Sequence, residues 1–245
     1  MNTVDAQEIQ NFSKDSSHWW DENGPFKPLH RLNPVRLRYI KDQICKHFDR
    51  DLNSLKAYDG LNIIDVGCGG GLVCEPMARL GGTVTGLDAD ENAIEVAKEH
   101  AQSLNLEIDY QAVTSDELAK QGKKFDVVLA LEIIEHVSDT QAFVKSLVDL
   151  CTPDGLIIMS TLNRNAKSYA LGIVAAEYIL GWVPKGTHNW KKFIKPSELS
   201  RMLRHEGATP QNICGLAFNP LKNEFHLAPN DLDVNYLMSF TSRNQ

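Results

Sequence analysis

The sequence predicts an α/β protein with a parallel β-sheet and helices on both of its faces. Two patterns carry that expectation. From Leu61 onward, short apolar runs alternate with stretches of helical periodicity, and strands alternating with helices make βαβ units, hence a parallel sheet. The first of those runs closes in a glycine-rich turn, Gly67-Cys68-Gly69-Gly70-Gly71, before a helix opens. Glycines at such a turn let a ligand come close to the backbone.

Taken in order, a polar, aromatic-dotted opening leads into residues 32–48, where Val35, Leu37, Ile40 and Ile44 fall near helical spacing and predict an amphipathic helix. Residues 61–67 read as a strand, 72–80 as a helix, 83–88 as a strand, 91–104 as a helix and 106–113 as a strand. A buried strand over 125–134 runs into a turn, and a helix over 139–151 precedes a strand over 155–162. The rhythm breaks over 163–193, an insertion after the fifth strand that holds an apolar stretch at 168–182 and the basic residues Lys185, Lys191 and Lys192. A last helix starts near Pro196, and residues 209–240 read as two strands around a Pro- and Asn-rich turn. All of this fits one domain over 1–245, with a helical or lid-like extension over 1–50.

Composition narrows the function. The chain has 245 residues, 42% of them hydrophobic and 23% charged, as soluble globular proteins do. A net charge of −7 repels a long phosphate backbone, which sets nucleic acid aside as a partner. The five cysteines are odd in number and form no CxxC pair, against both a disulfide framework and a zinc cage. The opening MNTVDAQEIQNF has neither the apolar core of a secretion signal nor the Arg-rich pattern of a transit peptide, so a cytoplasmic location is expected.

A glycine turn alone is weak evidence, because nicotinamide and flavin sites also use one. Asp65, two residues ahead of Gly67, narrows it: a carboxylate there would repel a pyrophosphate and favours a phosphate-free, cationic ligand. S-adenosylmethionine, with its sulfonium and ammonium groups, meets that description. Asp88, at the end of the next strand, can accept hydrogen bonds from both ribose hydroxyls. The bland alternative is that both acids end strands and cap helices.

After the fourth strand, Glu132, Glu135 and His136 share one face if the turn continues as an α-helix. Two carboxylates and an imidazole can then hold a divalent cation, Mg²⁺ above all. They are equally consistent with a solvated helix start whose acids the dipole favours.

The 65–71 block followed by Asp88 resembles the class I methyltransferases. That resemblance implies a Rossmann-like, seven-stranded sheet with the last strand antiparallel, in which Gly67 and Gly69 line the methionine part of the cofactor and Asp88 binds its ribose. A closer likeness comes from His18-Trp19-Trp20-Asp21 with Gly24-Pro25-Phe26, from residues 29–36, from Glu132 to His136, and from Ser160-Thr161-Leu162-Asn163-Arg164-Asn165. Pro184-Lys185-Gly186-Thr187-His188, residues 191–196 and Asp233-Val234-Asn235-Tyr236 extend it over nearly the whole chain. Together these segments are similar to the ubiquinone-biosynthesis O-methyltransferases.

That closer likeness implies that Arg36, Gly67, Asp88 and Leu131 contact S-adenosylmethionine, and that Glu132, Glu135 and His136 serve a divalent metal. A guanidinium at Arg36 can pair with the cofactor's carboxylate as a fork. The implied substrates are polyprenylated hydroxyphenols or catechols, 2-polyprenyl-6-hydroxyphenol and 3-demethylubiquinol, with other ubiquinone-biosynthesis enzymes as partners. Without a metal, His136 or Glu135 becomes the general base. Trp19, Trp20 and Phe26 either cover the substrate ring or pack the N-terminal segment onto the body. The stretch 168–182 is too short to span a bilayer; it suits a helix at the membrane surface, on the inner face of the plasma membrane, or a lid over the site. The rival readings are a methyltransferase for another small phenol and a non-catalytic S-adenosylmethionine-binding scaffold.

Overall fold

A computed structural model of the chain describes residues 13–170 and 189–243. Its strands are β1 (Asn62–Val66), β2 (Thr83–Leu87), β3 (Ile108–Gln111), β4 (Phe125–Leu131), β5 (Cys151–Leu162), β6 (Ala208–Asn219), β7 (Glu224–Ala228) and β8 (Asn235–Ser242). They form one sheet in the order β3-β2-β1-β4-β5-β8-β6-β7. The first five are mutually parallel, and β8 enters antiparallel beside β5.

Helices α1 (Lys27–His47), α2 (Cys74–Arg79) and α3 (Glu91–Ser103) cover one face, and α4 (Ser115–Lys120), α5 (Thr140–Leu150) and α6 (Pro196–His205) the other. Successive strand residues point to opposite faces, so the apolar pairs of the central strands divide between two cores. Ile63, Val127 and Ile158 meet Ile40, Ile44, Met77 and Ala97. Their neighbours Ile64, Val128 and Ile157 meet Leu118, Leu147, Leu199 and Leu203. A sheet buried on both faces needs continuous apolar runs instead of alternation, which is why those strands read so clearly.

The structure departs from the expected elements in three places. The first helix starts at Lys27 because Pro28 is tolerated in a helix's first turn. Residues around Ser115 form α4, opened by a capping box in which the Glu117 carboxylate accepts from the Thr114 N–H and hydroxyl. The sheet has eight strands, not seven, because the tail folds as three: Asn219 Oδ1 accepts from the N–H groups of Leu221 and Lys222, and Asn223 takes φ +55°, closing a tight β6–β7 turn. Arg31 of α1 donates to Asn223 Oδ1 and ties that turn to the N-terminal helix.

Most of the apolar stretch 168–182, with Lys185 and Pro184 to His188, lies outside the described residues; a helical turn at Ala166–Ser168 and a 3-10 turn at Trp190–Lys192 flank the gap. No described helix is long and apolar enough to cross a membrane. All five cysteines are free and buried.

Register sets the position of the site. Asp65 lies beside Gly86 and Leu129, Leu131 beside Ser160, and Leu162 beside Asn235. The carboxyl ends of β1, β2, β4 and β5 therefore share one edge of the sheet with the start of β8. Open α/β sheets bind their ligands at that edge.

Candidate functional site

The glycine turn after β1 is held from β2. Leu87 O accepts from the N–H groups of Gly67 (2.8 Å) and Cys68 (2.9 Å). Asp88 Oδ2 accepts from Gly69 N–H at 2.8 Å and Oδ1 from Asp90 N–H at 2.9 Å. Burial pushes the Asp88 carboxyl up, and these backbone donors pull it back down. Each oxygen keeps a lone pair for a further donor. Gly67 and Gly69 sit at φ +78° and +51°, the left-handed region that a Cβ disfavours. Space forbids a side chain as well: a Cβ on Gly67 would fall 2.8 Å from Ile133 Cγ1, and one on Gly69 2.4 Å from the Trp19 ring.

Asp65 is buried at the end of β1, where Cys74 Sγ donates to its Oδ2 at 3.6 Å. Burial pushes its pKa up to about 6, against the pull of Arg36. Arg36 itself is buried on α1, with its Nε donating to Asn33 Oδ1 at 2.9 Å and the charges of Asp65 and Glu132 opposing its desolvation. Arg36 thus stands between the glycine turn and the end of β4, and Asp65 faces an internal cation as well as any ligand.

Beyond Leu131, the buried end of β4, the backbone turns sharply. Glu132 takes φ +54°, a strained choice for a residue with a long side chain, of the kind found at functional sites. Its N–H donates to Ser160 O at 3.0 Å, and its Oε1 accepts from Ser160 Oγ at 2.6 Å and Asn235 Nδ2 at 3.1 Å. A 3-10 turn, Ile134–His136, follows. Glu135 is buried, accepts from Thr161 Oγ1 at 2.8 Å, and has its pKa raised to about 7 by desolvation and by repulsion from Glu132, with His136 pulling the other way.

The expectation of Glu132, Glu135 and His136 converging as three ligands on one α-helical face is corrected here. The left-handed residue and the short 3-10 turn replace that helix, and among the described residues no three His, Cys, Asp or Glu side chains group as metal ligands. What the turn does assemble is a pair of mutually repelling carboxylates, Glu132 and Glu135, held by hydroxyls from β5.

Those holding residues carry no periodic signal of their own. Ser160 and Thr161 are fully buried, and two hydroxyls closing the apolar run Gly155-Leu156-Ile157-Ile158-Met159 were the available clue, since buried polar groups need partners. Of the two readings of the N-terminal aromatics, the structure has them packed on the body. Trp19 stacks on Phe26 with centroids 3.8 Å apart and lies against Gly69 and Gly70, while Trp20 Nε1 donates to Gly70 O at 3.0 Å.

Residues 36–211 match a family model described as a methyltransferase domain. A ubiquinone biosynthesis O-methyltransferase of Bartonella bacilliformis is 50% identical over 236 residues, 96% of this chain and 95% of that protein. One of Roseobacter denitrificans is 51% identical over 235 residues, with the same two coverages. The chain belongs to the ubiquinone biosynthesis O-methyltransferases. Solved structures agree on the fold. A methyltransferase from Thermotoga maritima matches with a TM-score of 0.65 at 14% identity, covering 97% of this chain and 99% of that one. The magnesium protoporphyrin IX methyltransferase of Synechocystis, solved with bound S-adenosylmethionine, matches at 0.60 and 16% identity, covering 99% and 100%.

The Asp88 bonds make a testable point. Replacing Asp88 with Ala leaves the Gly69 and Asp90 N–H groups without their acceptor, and should cost about 2–6 kcal/mol at about 1–3 per orphaned group. Denaturant unfolding measures that loss, and calorimetry with S-adenosylhomocysteine should find binding abolished; binding at the parent affinity would remove Asp88 from the cofactor site.

Proposed function

We propose that the chain transfers the methyl group of S-adenosylmethionine to a phenolic oxygen of a polyprenylated hydroxyphenol or catechol, the O-methylation of ubiquinone biosynthesis. The observation that carries the reading is the buried Glu135 carboxyl, poised near neutrality one turn beyond the strand end that faces the glycine turn. Ile133, which packs against Gly67, joins the two halves of the site.

S-adenosylmethionine, when bound, supplies an electrophilic methyl group on a cationic sulfur. The bare backbone of Gly67 and Gly69 admits its methionine portion, Asp88 offers lone pairs to the ribose hydroxyls, and Leu131 gives an apolar contact. Arg36 pairs with the amino-acid carboxylate, and Asp65 favours the nearby positive charge. A phenol with a pKa of about 10 is scarcely ionised at neutral pH, so the chain must take its proton. Glu135 takes it, with His136 as the alternative base. As the O–C bond forms, the S–C bond breaks and its electron pair stays on sulfur, leaving a neutral thioether and a methyl ether.

A base with a pKa near 7 works only when deprotonated. The rate constant kcat/KM should therefore fall about 10-fold per unit as the pH drops below 7 and level off above it. Glu135→Gln should remove that limb and about 10²–10⁴ of the rate, measured as methyl transfer to a prenylated catechol. An unchanged pH profile would take Glu135 out of the reaction.

A divalent cation rests on donor chemistry alone. Two neighbouring carboxylates suit Mg²⁺, which often completes its shell with water and substrate oxygens, and Glu132 and Glu135 would hold it; a bound cation lowers the pKa of a phenol. Turnover lost to a chelator and restored by Mg²⁺ would support this role, and turnover that survives chelation would leave Glu135 as a plain base.

Peripheral membrane contact, on the inner face of the plasma membrane, is supported by the apolar stretch 168–182 followed by Lys185, Lys191 and Lys192. A lipid-tailed substrate resides in the bilayer, which gives such contact a purpose. Co-sedimentation with anionic vesicles should capture the chain and weaken as salt is raised; a chain that stays in the supernatant counts against membrane contact.

A further inference from the structure

The N-terminal strap, residues 13–26, is fastened over the glycine turn through a relay that the proposed chemistry does not use. Glu75, in the first turn of α2, is buried, and its Oε1 lies 2.6 Å from Nδ1 of His100 on α3. Arg79 Nη2 approaches its other oxygen at 3.8 Å. The His100 ring stacks on Trp20 with centroids 3.5 Å apart and planes 8° from parallel, and Trp20 Nε1 donates to Gly70 O at 3.0 Å. On the other side of the strap, Ser13 and Ser16 donate to the Asp90 carboxylate at 3.0 and 2.6 Å.

We propose that Glu75 and His100 are positioning residues for S-adenosylmethionine: they fix Trp20, and through it the strap, over the Gly69–Gly70 backbone that seats the cofactor. This rests on the reading of the glycine turn as that seat. The buried Glu75 carboxylate fixes the orientation of the His100 ring and so the plane on which Trp20 lies. Trp19, carried by the same strap, touches Gly69 and Gly70, and its indole N–H is buried without a hydrogen-bond partner among the described residues. Buried donors are rarely left so. His30 Nε2, on α1, donates to the Trp19 carbonyl oxygen at 2.8 Å and holds that residue's backbone in place.

The relay predicts a split between affinity and turnover. In the full chain, His100→Ala should weaken S-adenosylhomocysteine binding by about 10-fold, the combined effect of one stacked pair and one hydrogen bond, read by calorimetry. The KM for S-adenosylmethionine should rise in parallel while kcat at saturating cofactor changes less than about 2-fold. Trp20→Phe is the milder variant, should His100→Ala fold poorly: it keeps a ring for the stack, has no N–H for Gly70, and should lose several-fold in affinity. Glu75→Gln should fall on the same side as both. Variants that bind S-adenosylhomocysteine as the parent does would overturn the relay, as would kcat falling with KM unchanged. A parent chain that fails to bind S-adenosylhomocysteine would instead sink the cofactor reading itself.

Discussion

The shape of the site depends on how β2 grips the turn that follows β1. Leu87 O holds the N–H groups of Gly67 and Cys68, and Asp88 holds that of Gly69, so the glycine backbone cannot relax independently of the sheet. Left-handed glycines are entropically costly to fix. Hydrogen bonds to β2 offset that cost, and the missing side chains let Ile133 and the Trp19 ring come close to the turn's backbone. The Gly67 contact with Ile133 then passes the position of the turn to the end of β4, so both reacting partners are referred to one rigid frame.

Charge is balanced across that frame instead of concentrated at one end. Arg36 is the buried cation among Asp65 and Glu132, and Glu135 sits a turn further on with its proton loosely held. Removing water raises the carboxyl groups, and the guanidinium limits the rise for Asp65, where a negative charge is useful. Glu135 feels repulsion from Glu132 while His136 pulls the other way, and its carboxyl is raised to about 7. Two acids in similar burial thus have different neighbours, a buried guanidinium beside Asp65 and a second carboxylate with an imidazole beside Glu135.

Much of this was legible in the sequence, for identifiable reasons. Strands buried on both faces leave near-continuous apolar runs, and the centres of β1, β4 and β5 are visible that way. Asp65, Asp88 and the glycines lie within one βαβ unit, so local spacing sufficed to place them together. The failures came where a long-range partner or a single torsion decides. Nothing periodic marks Glu132 as left-handed, and its partners Ser160 and Asn235 are distant in sequence; without them a helical continuation was the natural extrapolation. Edge strand β7 is short and half-exposed, and its turn rests on side-chain acceptors at Asn219 that composition cannot count. The strap's docking, set by aromatic faces and a buried carboxylate, has no periodic signature at all.

The buried thiols have a chemical consequence. Cys68 belongs to the glycine turn and Cys74 opens α2 beside Asp65, and burial pushes both thiols up, aided by the neighbouring acids. The thiolate, and not the thiol, is the reactive nucleophile. On the proposed reading of the glycine turn as the cofactor's seat, these protonated side chains pack near an alkylating agent without competing for its carbon, and the catalyst is spared from modifying itself.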